Sequence, residues 1–173
     1  ALHLGRLGKQ KNLPFLMRAF HNADLGEKAN LVFVGPPEPS EKQTLLSLAK
    51  ELGIEKQVIF IDFAQGRERC HWLAAADLFA LPSHDENFCI VAIESVASGT
   101  HCLLSPNIGA VEFLPKEYAT VIPSHIDEWA MELKNSFVSP KKQQVPFPLQ
   151  PFQQALPPVM VQASFPLLLL QRF

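Results

Sequence analysis

Six short apolar runs, separated by segments with helical features, constrain the fold of this chain more than any other feature of its sequence. The runs are residues 2–4, 31–34, 58–61, 78–81, 102–104 and 120–122. Most are apolar at every position instead of at alternate positions, which is typical of strands buried on both faces of a parallel sheet. The pattern therefore predicts an α/β fold, a Rossmann-like parallel sheet flanked by helices.

Helix signals fill the intervals between these runs. We expect helices over residues 12–23, 40–52, 67–75 and 88–98, a short one near 110–114, and a last one after Ser124. Ser40 opens a Ser-Glu-Lys-Gln sequence with capping-box spacing, and Gly53 and Gly99 follow the ends of two helices. In such sheets ligands bind beyond the carboxyl ends of the strands, so a functional site is expected in the loops that follow the strands.

The composition of the chain changes after residue 138. The segment 139–173 contains seven prolines and seven glutamines, and no acidic residue follows Glu132. Neither a helical nor a strand period continues through it. We therefore predict one folded domain over residues 1–138 and a poorly ordered tail over residues 139–173.

Charge and cysteine content argue against several classes of function. The chain has 15 basic and 17 acidic side chains, too few positive charges for a nucleic-acid-binding face. No apolar run reaches the roughly 18–20 residues that a transmembrane segment needs. Three cysteines (Cys70, Cys89 and Cys102) without a CxxC pair indicate a reducing, cytoplasmic environment. His71 and His101 lie next to two of them, but the spacing is not that of zinc ligands, so no metal site is predicted.

The stretch 81–100 carries the strongest functional signal. Glu86 lies between a predicted strand and a predicted helix, and Glu94 lies eight positions later within that helix. Free amides at the start of such a helix, near residues 87–90, can bind an anion. A carboxylate on the helix can accept hydrogen bonds from the vicinal hydroxyls of a ribose. On spacing alone, a solvated loop acid and an ordinary helix glutamate are the simpler explanation of this pair.

A basic loop follows the first predicted strand. Arg6 and Lys11 lie within residues 4–12, which read Leu-Gly-Arg-Leu-Gly-Lys-Gln-Lys-Asn. Two cations beside the end of a strand can neutralise a diphosphate, which a departing nucleoside diphosphate requires. Most basic loops are simply solvated, so this observation gains weight only together with the stretch 81–100.

Both stretches resemble the donor-binding domain of the GT-B glycosyltransferases, in the large retaining, family 4-like group that includes sucrose synthase and bacterial glycogen synthase. The family signature reads PS-x-x-E-x-F-G-x-x-x-x-E-A-x-A-x-G-x-P-V. The matching residues here are Pro82, Ser83, Glu86, Phe88, Glu94, Ala97 and Gly99. Residues 4–12 resemble the family's G-R-L-x-x-x-K-G loop. The sequence departs from the signature at Cys89 for glycine, Ser95 for alanine, and Thr100-His101 for x-Pro.

The resemblance covers residues 1–138 and implies a role for each matching residue. Glu86 would be the catalytic residue that accepts hydrogen bonds from hydroxyls of the transferred sugar. Glu94 would hold the ribose hydroxyls, and Arg6 with Lys11 would hold the diphosphate. This is the C-terminal, nucleotide-sugar-binding half of a GT-B fold.

Three further residues are implied to line the sugar and the diphosphate through their amides, namely Asn87, Phe88 and Cys89. Glycine at the position of Cys89 lets the backbone approach a ligand closely. A side chain there is expected to crowd the site.

The resemblance also implies the reaction. A hexosyl group would move from a nucleoside-diphosphate sugar, with UDP favoured over GDP, to an acceptor hydroxyl with retention, as in polysaccharide biosynthesis. Neither a metal nor a cofactor is expected. The acceptor-binding domain would precede Ala1, so the chain alone is expected to be inactive. The alternatives are a non-catalytic remnant that no longer binds nucleotide, and, less favoured, a GT-B relative that epimerises or phosphorolyses sugars.

Overall fold

The computed structural model describes residues 1–139, so the predicted tail lies outside the described residues except for Ser139. Six strands form one sheet: β1 (Leu2–Leu4), β2 (Leu31–Val34), β3 (Val58–Ile61), β4 (Phe79–Leu81), β5 (Cys102–Leu104) and β6 (Ala119–Val121). All neighbouring strands pair in parallel, in the order β3-β2-β1-β4-β5-β6. The predicted α/β, Rossmann-like fold is confirmed.

Helices cover both faces of the sheet. They are α1 (Leu13–Ala23), α2 (Glu41–Leu52), α3 (Arg67–Ala75), α4 (Ile90–Ala97) and α5 (Ile126–Val138), with short 3-10 helices at Lys9–Lys11 and Gly109–Phe113. Helices α1, α2 and α5 bury their apolar side chains against one face of the sheet, while α3, α4 and the second 3-10 helix cover the other. Within residues 1–139 no helix combines the length and apolarity needed to cross a bilayer.

The structure corrects several local predictions. Helix α4 begins at Ile90 instead of residue 88, because the residue before it, Cys89, has a φ of +66° and cannot continue a right-handed helix. The predicted capping box at Ser40 is absent: φ there is +68°, and its side chain makes no capping hydrogen bond. Its carbonyl oxygen instead accepts a hydrogen bond from the Thr44 hydroxyl at 3.1 Å. The segment predicted as a short helix near 110–114 is a 3-10 helix.

The strand order reverses between β1 and β4. From β1 the chain builds the sheet outward through β2 and β3, and from β4 it builds in the opposite direction through β5 and β6. The loops after β1 and β4 therefore diverge and leave a crevice at the carboxyl edge of the sheet, the position at which such folds bind ligands. The loop after β1 is closely packed: a Cβ on Gly35 would lie 2.1 Å from the Gly5 carbonyl oxygen.

Candidate functional site

A cleft of about 350 Å³ lies between the loops that follow β1 and β4. Six of the seven residues predicted from the sequence line it, namely Arg6, Lys11, Glu86, Asn87, Phe88 and Cys89. The ends of β1 and β4 form its floor, and the first turn of α4 forms one wall. The fold thus brings together two segments about 75 residues apart in the sequence.

The loop after β1 is anchored by a buried leucine. Leu7 is 1% exposed, its amide donates to the Pro36 carbonyl at 3.0 Å, and its carbonyl accepts from the Glu38 amide at 2.9 Å. Arg6, the residue before it, is exposed. Lys11 follows within the first 3-10 helix. The anchor at Leu7 leaves both cations at the cleft.

The loop after β4 is held from both sides. The Ser83 hydroxyl lies 3.0 Å from the carbonyl oxygens of Gln10 and of Asp85. On the other side, the Gly109 amide donates to the Glu86 carbonyl at 3.0 Å. A Cβ at Gly109 would lie 2.2 Å from the Asn87 carbonyl oxygen, so only glycine fits there without moving this loop.

Lys11 and Glu86 form an ion pair across the cleft. Each side chain is 19% exposed. Partial burial lowers the pKa of Lys11, and the Arg6 guanidinium acts in the same direction. The sequence predicted Lys11 for a diphosphate and Glu86 for a sugar, and in the structure the two neutralise each other. A ligand that uses either group has to share it or displace its partner.

Cys89 begins the wall of the cleft that α4 forms. Its backbone is left-handed, with φ +66° and ψ +72°, a conformation that glycine adopts at little cost and other residues rarely adopt. This explains why the resembling family has glycine at this position. Burial raises the pKa of the Cys89 thiol to about 11, against the opposing effects of the Ala92 amide and of Lys11. The side chain is therefore an uncharged group within the cleft.

Glu94 is the one predicted residue that the structure does not place in the cleft lining. It is buried, and its Oε2 accepts a hydrogen bond from Nη2 of Arg69 on α3 at 2.5 Å. Sequence reasoning did not identify Arg69, since it lies 25 positions away on a helix without a motif. The nearness of the two groups follows from the packing of α3 beside α4.

His3, which lines the cleft, is a second residue that sequence reasoning missed. It is 1% exposed and lies in β1, where it is the only polar residue between two leucines. Burial, with a smaller contribution from Lys11, lowers the pKa of His3 to about 4, so the ring is neutral. Elsewhere, residues 1–139 contain no group of three or more histidine, cysteine and acidic side chains placed to share a metal ion.

Comparison with known proteins gives the family. Residues 1–145 match the family model described as glycosyl transferases group 1. The uncharacterized glycosyltransferase MJ1607 of Methanocaldococcus jannaschii is 33% identical over 116 residues, which cover 67% of this chain and 29% of that protein. D-inositol 3-phosphate glycosyltransferase of Nocardia farcinica is 35% identical over 123 residues, covering 68% of this chain and 27% of that protein. The chain thus spans less than a third of the length of either relative.

Solved structures agree with this assignment. The C-terminal domain of the group 1 glycosyl transferase LpcC from Francisella tularensis superimposes with a TM-score of 0.71 at 25% identity, covering 80% of this chain and 74% of that one. Anabaena HepE in complex with UDP-glucose gives 0.68 at 25% identity, covering 80% and 38%. The resemblance predicted from the sequence is confirmed. The chain belongs to the glycosyl transferases group 1 family and has the Rossmann-like fold of the C-terminal half of a GT-B glycosyltransferase.

Proposed function

We propose that this chain is the donor-binding half of a retaining glycosyltransferase that moves a hexosyl group from UDP-sugar to an acceptor hydroxyl. The observation that carries the proposal is the cleft at the β1–β4 crevice, with two cations on one side and the amino end of α4 on the other. That arrangement suits a diphosphate. The HepE structure with UDP-glucose supports UDP-sugar as the donor.

The cleft residues would stabilise the leaving diphosphate without a metal ion. As the bond to the sugar breaks, negative charge grows on the diphosphate oxygen that leaves. Arg6 and Lys11 line the cleft on one side and the amino end of α4 lines it on the other, so both would lie beside that charge. Fixed donors of this kind lower the barrier because they need no reorganisation during the reaction.

Binding of a donor would break the Lys11–Glu86 ion pair and give each side chain a new partner. A diphosphate attracts the Lys11 ammonium away from the carboxylate. Glu86 is then free to accept hydrogen bonds from hydroxyls of the transferred sugar, beside the amides of Asn87 and Phe88. The sugar thereby replaces the partner that Glu86 loses.

Glu94 would hold the ribose hydroxyls through the carboxylate oxygen that Arg69 does not bind. In the structure Oε2 of Glu94 pairs with Arg69, and the side chain is 6% exposed. A ribose would therefore have to displace some of the atoms that bury the Glu94 side chain. The hydrogen bond from Arg69 fixes the direction of the carboxylate, as an acceptor for two vicinal hydroxyls requires.

The second candidate is a non-catalytic member of the family that no longer binds nucleotide. Cys89 favours it, because its side chain occupies a position in the cleft where the resembling family has glycine. Two ion pairs, Lys11–Glu86 and Arg69–Glu94, also neutralise both predicted glutamates and Lys11 without a ligand.

Calorimetric titration with UDP and with GDP distinguishes the two candidates. The wild-type chain is compared with Arg6→Ala in the cleft and with Arg18→Ala as the matched control. Arg18 is an exposed arginine that lies 3.7 Å from Glu51 on α2 and does not line the cleft. We expect UDP to bind, Arg6→Ala to weaken it, and Arg18→Ala to leave it unchanged. A folded sample that binds neither nucleotide would support the non-catalytic candidate.

Transfer is expected to need more than this chain. Because it spans less than a third of the relatives' length, we propose that an N-terminal domain supplies the acceptor site. Measurable turnover of UDP-sugar by residues 1–173 alone would contradict the proposal that another domain supplies the acceptor site.

A further inference from the structure

We propose that His3 donates a hydrogen bond from a ring nitrogen to a phosphate oxygen of the nucleotide bound in the cleft. The proposal rests on the proposed function and assigns a role to a residue outside the sequence motifs. Its basis is a buried ring that lacks partners at the floor of a cleft built for an anion.

The His3 ring is buried and unsatisfied. Within residues 1–139 neither Nδ1 nor Nε2 has a hydrogen-bond partner, although the residue is only 1% exposed. The Ala80 and Arg6 carbonyls lie near the ring without completing a hydrogen bond of acceptable geometry. A buried polar group without a partner is costly, and in native proteins most such groups are satisfied. A ligand that enters the cleft would supply the missing partner.

Glycine at position 5 leaves a path from the cleft to this ring. A Cβ built on Gly5 would lie 3.9 Å from Nε2 of His3, so a side chain there would stand directly against that nitrogen. Gly5 has a φ of +146°, which side chains rarely adopt. Both residues line the cleft. The space that a side chain would fill is open to a ligand atom.

A phosphate oxygen is the partner that the surroundings favour. Arg6 and Lys11 line the same cleft and hold the charge that an anion needs. His3 lies in β1 and lines the same cleft, and β1 and β4 flank the crevice where phosphates bind in folds of this order. The low pKa of His3 keeps the ring neutral, so it offers one N–H donor without placing a third positive charge beside the two cations.

The test compares UDP and UDP-glucose binding by the wild-type chain, His3→Phe and His101→Phe. His101 is the matched control: it is a histidine 2% exposed that lies outside the cleft lining, with Nε2 2.9 Å from the Thr120 hydroxyl. We expect His3→Phe to weaken UDP and UDP-glucose by the same factor, about 10-fold for one hydrogen bond to a charged group. His101→Phe is expected to change neither.

Each other outcome counts against the role of His3. Weakening of UDP-glucose alone would place the ring against the sugar and overturn the proposal. Unchanged affinities in His3→Phe would show that the ring only fills space. If the wild-type chain binds neither ligand, that result refutes the proposed function, and the role of His3, which rests on it, is refuted as well.

A measurement on the wild-type chain keeps the proposal testable should His3→Phe fail to fold. The chain has six histidines, and ¹⁵N-labelled histidine reports the protonation and hydrogen bonding of each ring nitrogen. Addition of UDP is expected to shift one ring nitrogen of His3 toward the value of a hydrogen-bonded N–H, and UDP-glucose to shift it equally. Unshifted His3 signals in the presence of saturating UDP would overturn the proposal.

Discussion

Substituting Glu86 by glutamine is expected to change nucleotide and nucleotide-sugar binding in opposite directions. In the free chain Lys11 and Glu86 form an ion pair in which each side chain is 19% exposed. A diphosphate competes with Glu86 for the ammonium of Lys11. Glutamine keeps an oxygen that can accept a hydrogen bond, but it removes the competing charge. UDP should therefore bind Glu86→Gln more tightly than the wild type.

The exposure of the pair sets the size of this gain. Exposed ion pairs stabilise by about 0.2–1 kcal/mol, because water screens them and side-chain entropy opposes them. A pair buried to this extent belongs at the upper end of that range. Removing the competition of Glu86 for Lys11 should therefore favour UDP binding by about 1 kcal/mol, which corresponds to about a fivefold lower Kd. For UDP-glucose the substitution also removes a charged acceptor of sugar hydroxyls, a loss of about 1.5–3 kcal/mol. The affinity for UDP-glucose relative to UDP should thus fall by about tenfold or more.

Calorimetry with both ligands at low ionic strength measures the two constants. Asp85→Asn is the matched control, since it removes the same charge from the adjacent, exposed residue, which does not line the cleft. Weaker UDP binding by Glu86→Gln would refute the competition between carboxylate and diphosphate. An equal gain in Asp85→Asn would show that only the overall charge of the chain matters.

Three further predictions concern Cys89, Gly109 and Glu94. Burial raises the pKa of Cys89 to about 11, so its alkylation by iodoacetamide should accelerate about tenfold per pH unit up to about pH 11. Mass spectrometry measures the rate of alkylation, and a plateau of that rate near pH 8.5 would contradict the prediction. Gly109→Ala, whose Cβ would lie 2.2 Å from the Asn87 carbonyl oxygen, should lower the free energy of unfolding by about 1–3 kcal/mol in urea titrations and weaken UDP binding. Glu94→Gln should weaken UDP more than 2′-deoxy-UDP, which keeps only one of the two vicinal hydroxyls. Equal losses for both would exclude a contact with the 2′-hydroxyl.

The sequence predicted the elements of the fold well, because continuous apolar runs mark strands that are buried on both faces. Five of the six strands begin or end at the expected residues on at least one side, and the sixth is displaced by one residue at each end. The capping box at Ser40 failed for a physical reason. A spacing of residue types does not determine the backbone, and Ser40 has a φ of +68° where an N-cap residue normally has an extended backbone.

For the site, the family motif identified residues by their chemistry but not by their partners. Arg6, Lys11 and residues 86–89 were predicted as one group, and they line one cleft. That Lys11 contacts Glu86 and that Arg69 contacts Glu94 depends on which strands and helices become neighbours, a property of the folded chain. His3 did leave a signal, as a polar residue within an apolar strand, but such residues are more often satisfied within the core.

The strand order has a consequence for how occupancy and folding are linked. The cleft is assembled from residues 3–11 and 81–91, and neither segment contains a binding site by itself. A ligand of the cleft therefore binds only chains in which β1 and β4 have already paired. By mass action, a ligand at 100 times its Kd would raise the stability of the paired state by about 2.7 kcal/mol. Hydrogen exchange of the amides that pair β1 with β4 would then slow in proportion to ligand concentration. These amides would report ligand binding even where the ligand does not contact them.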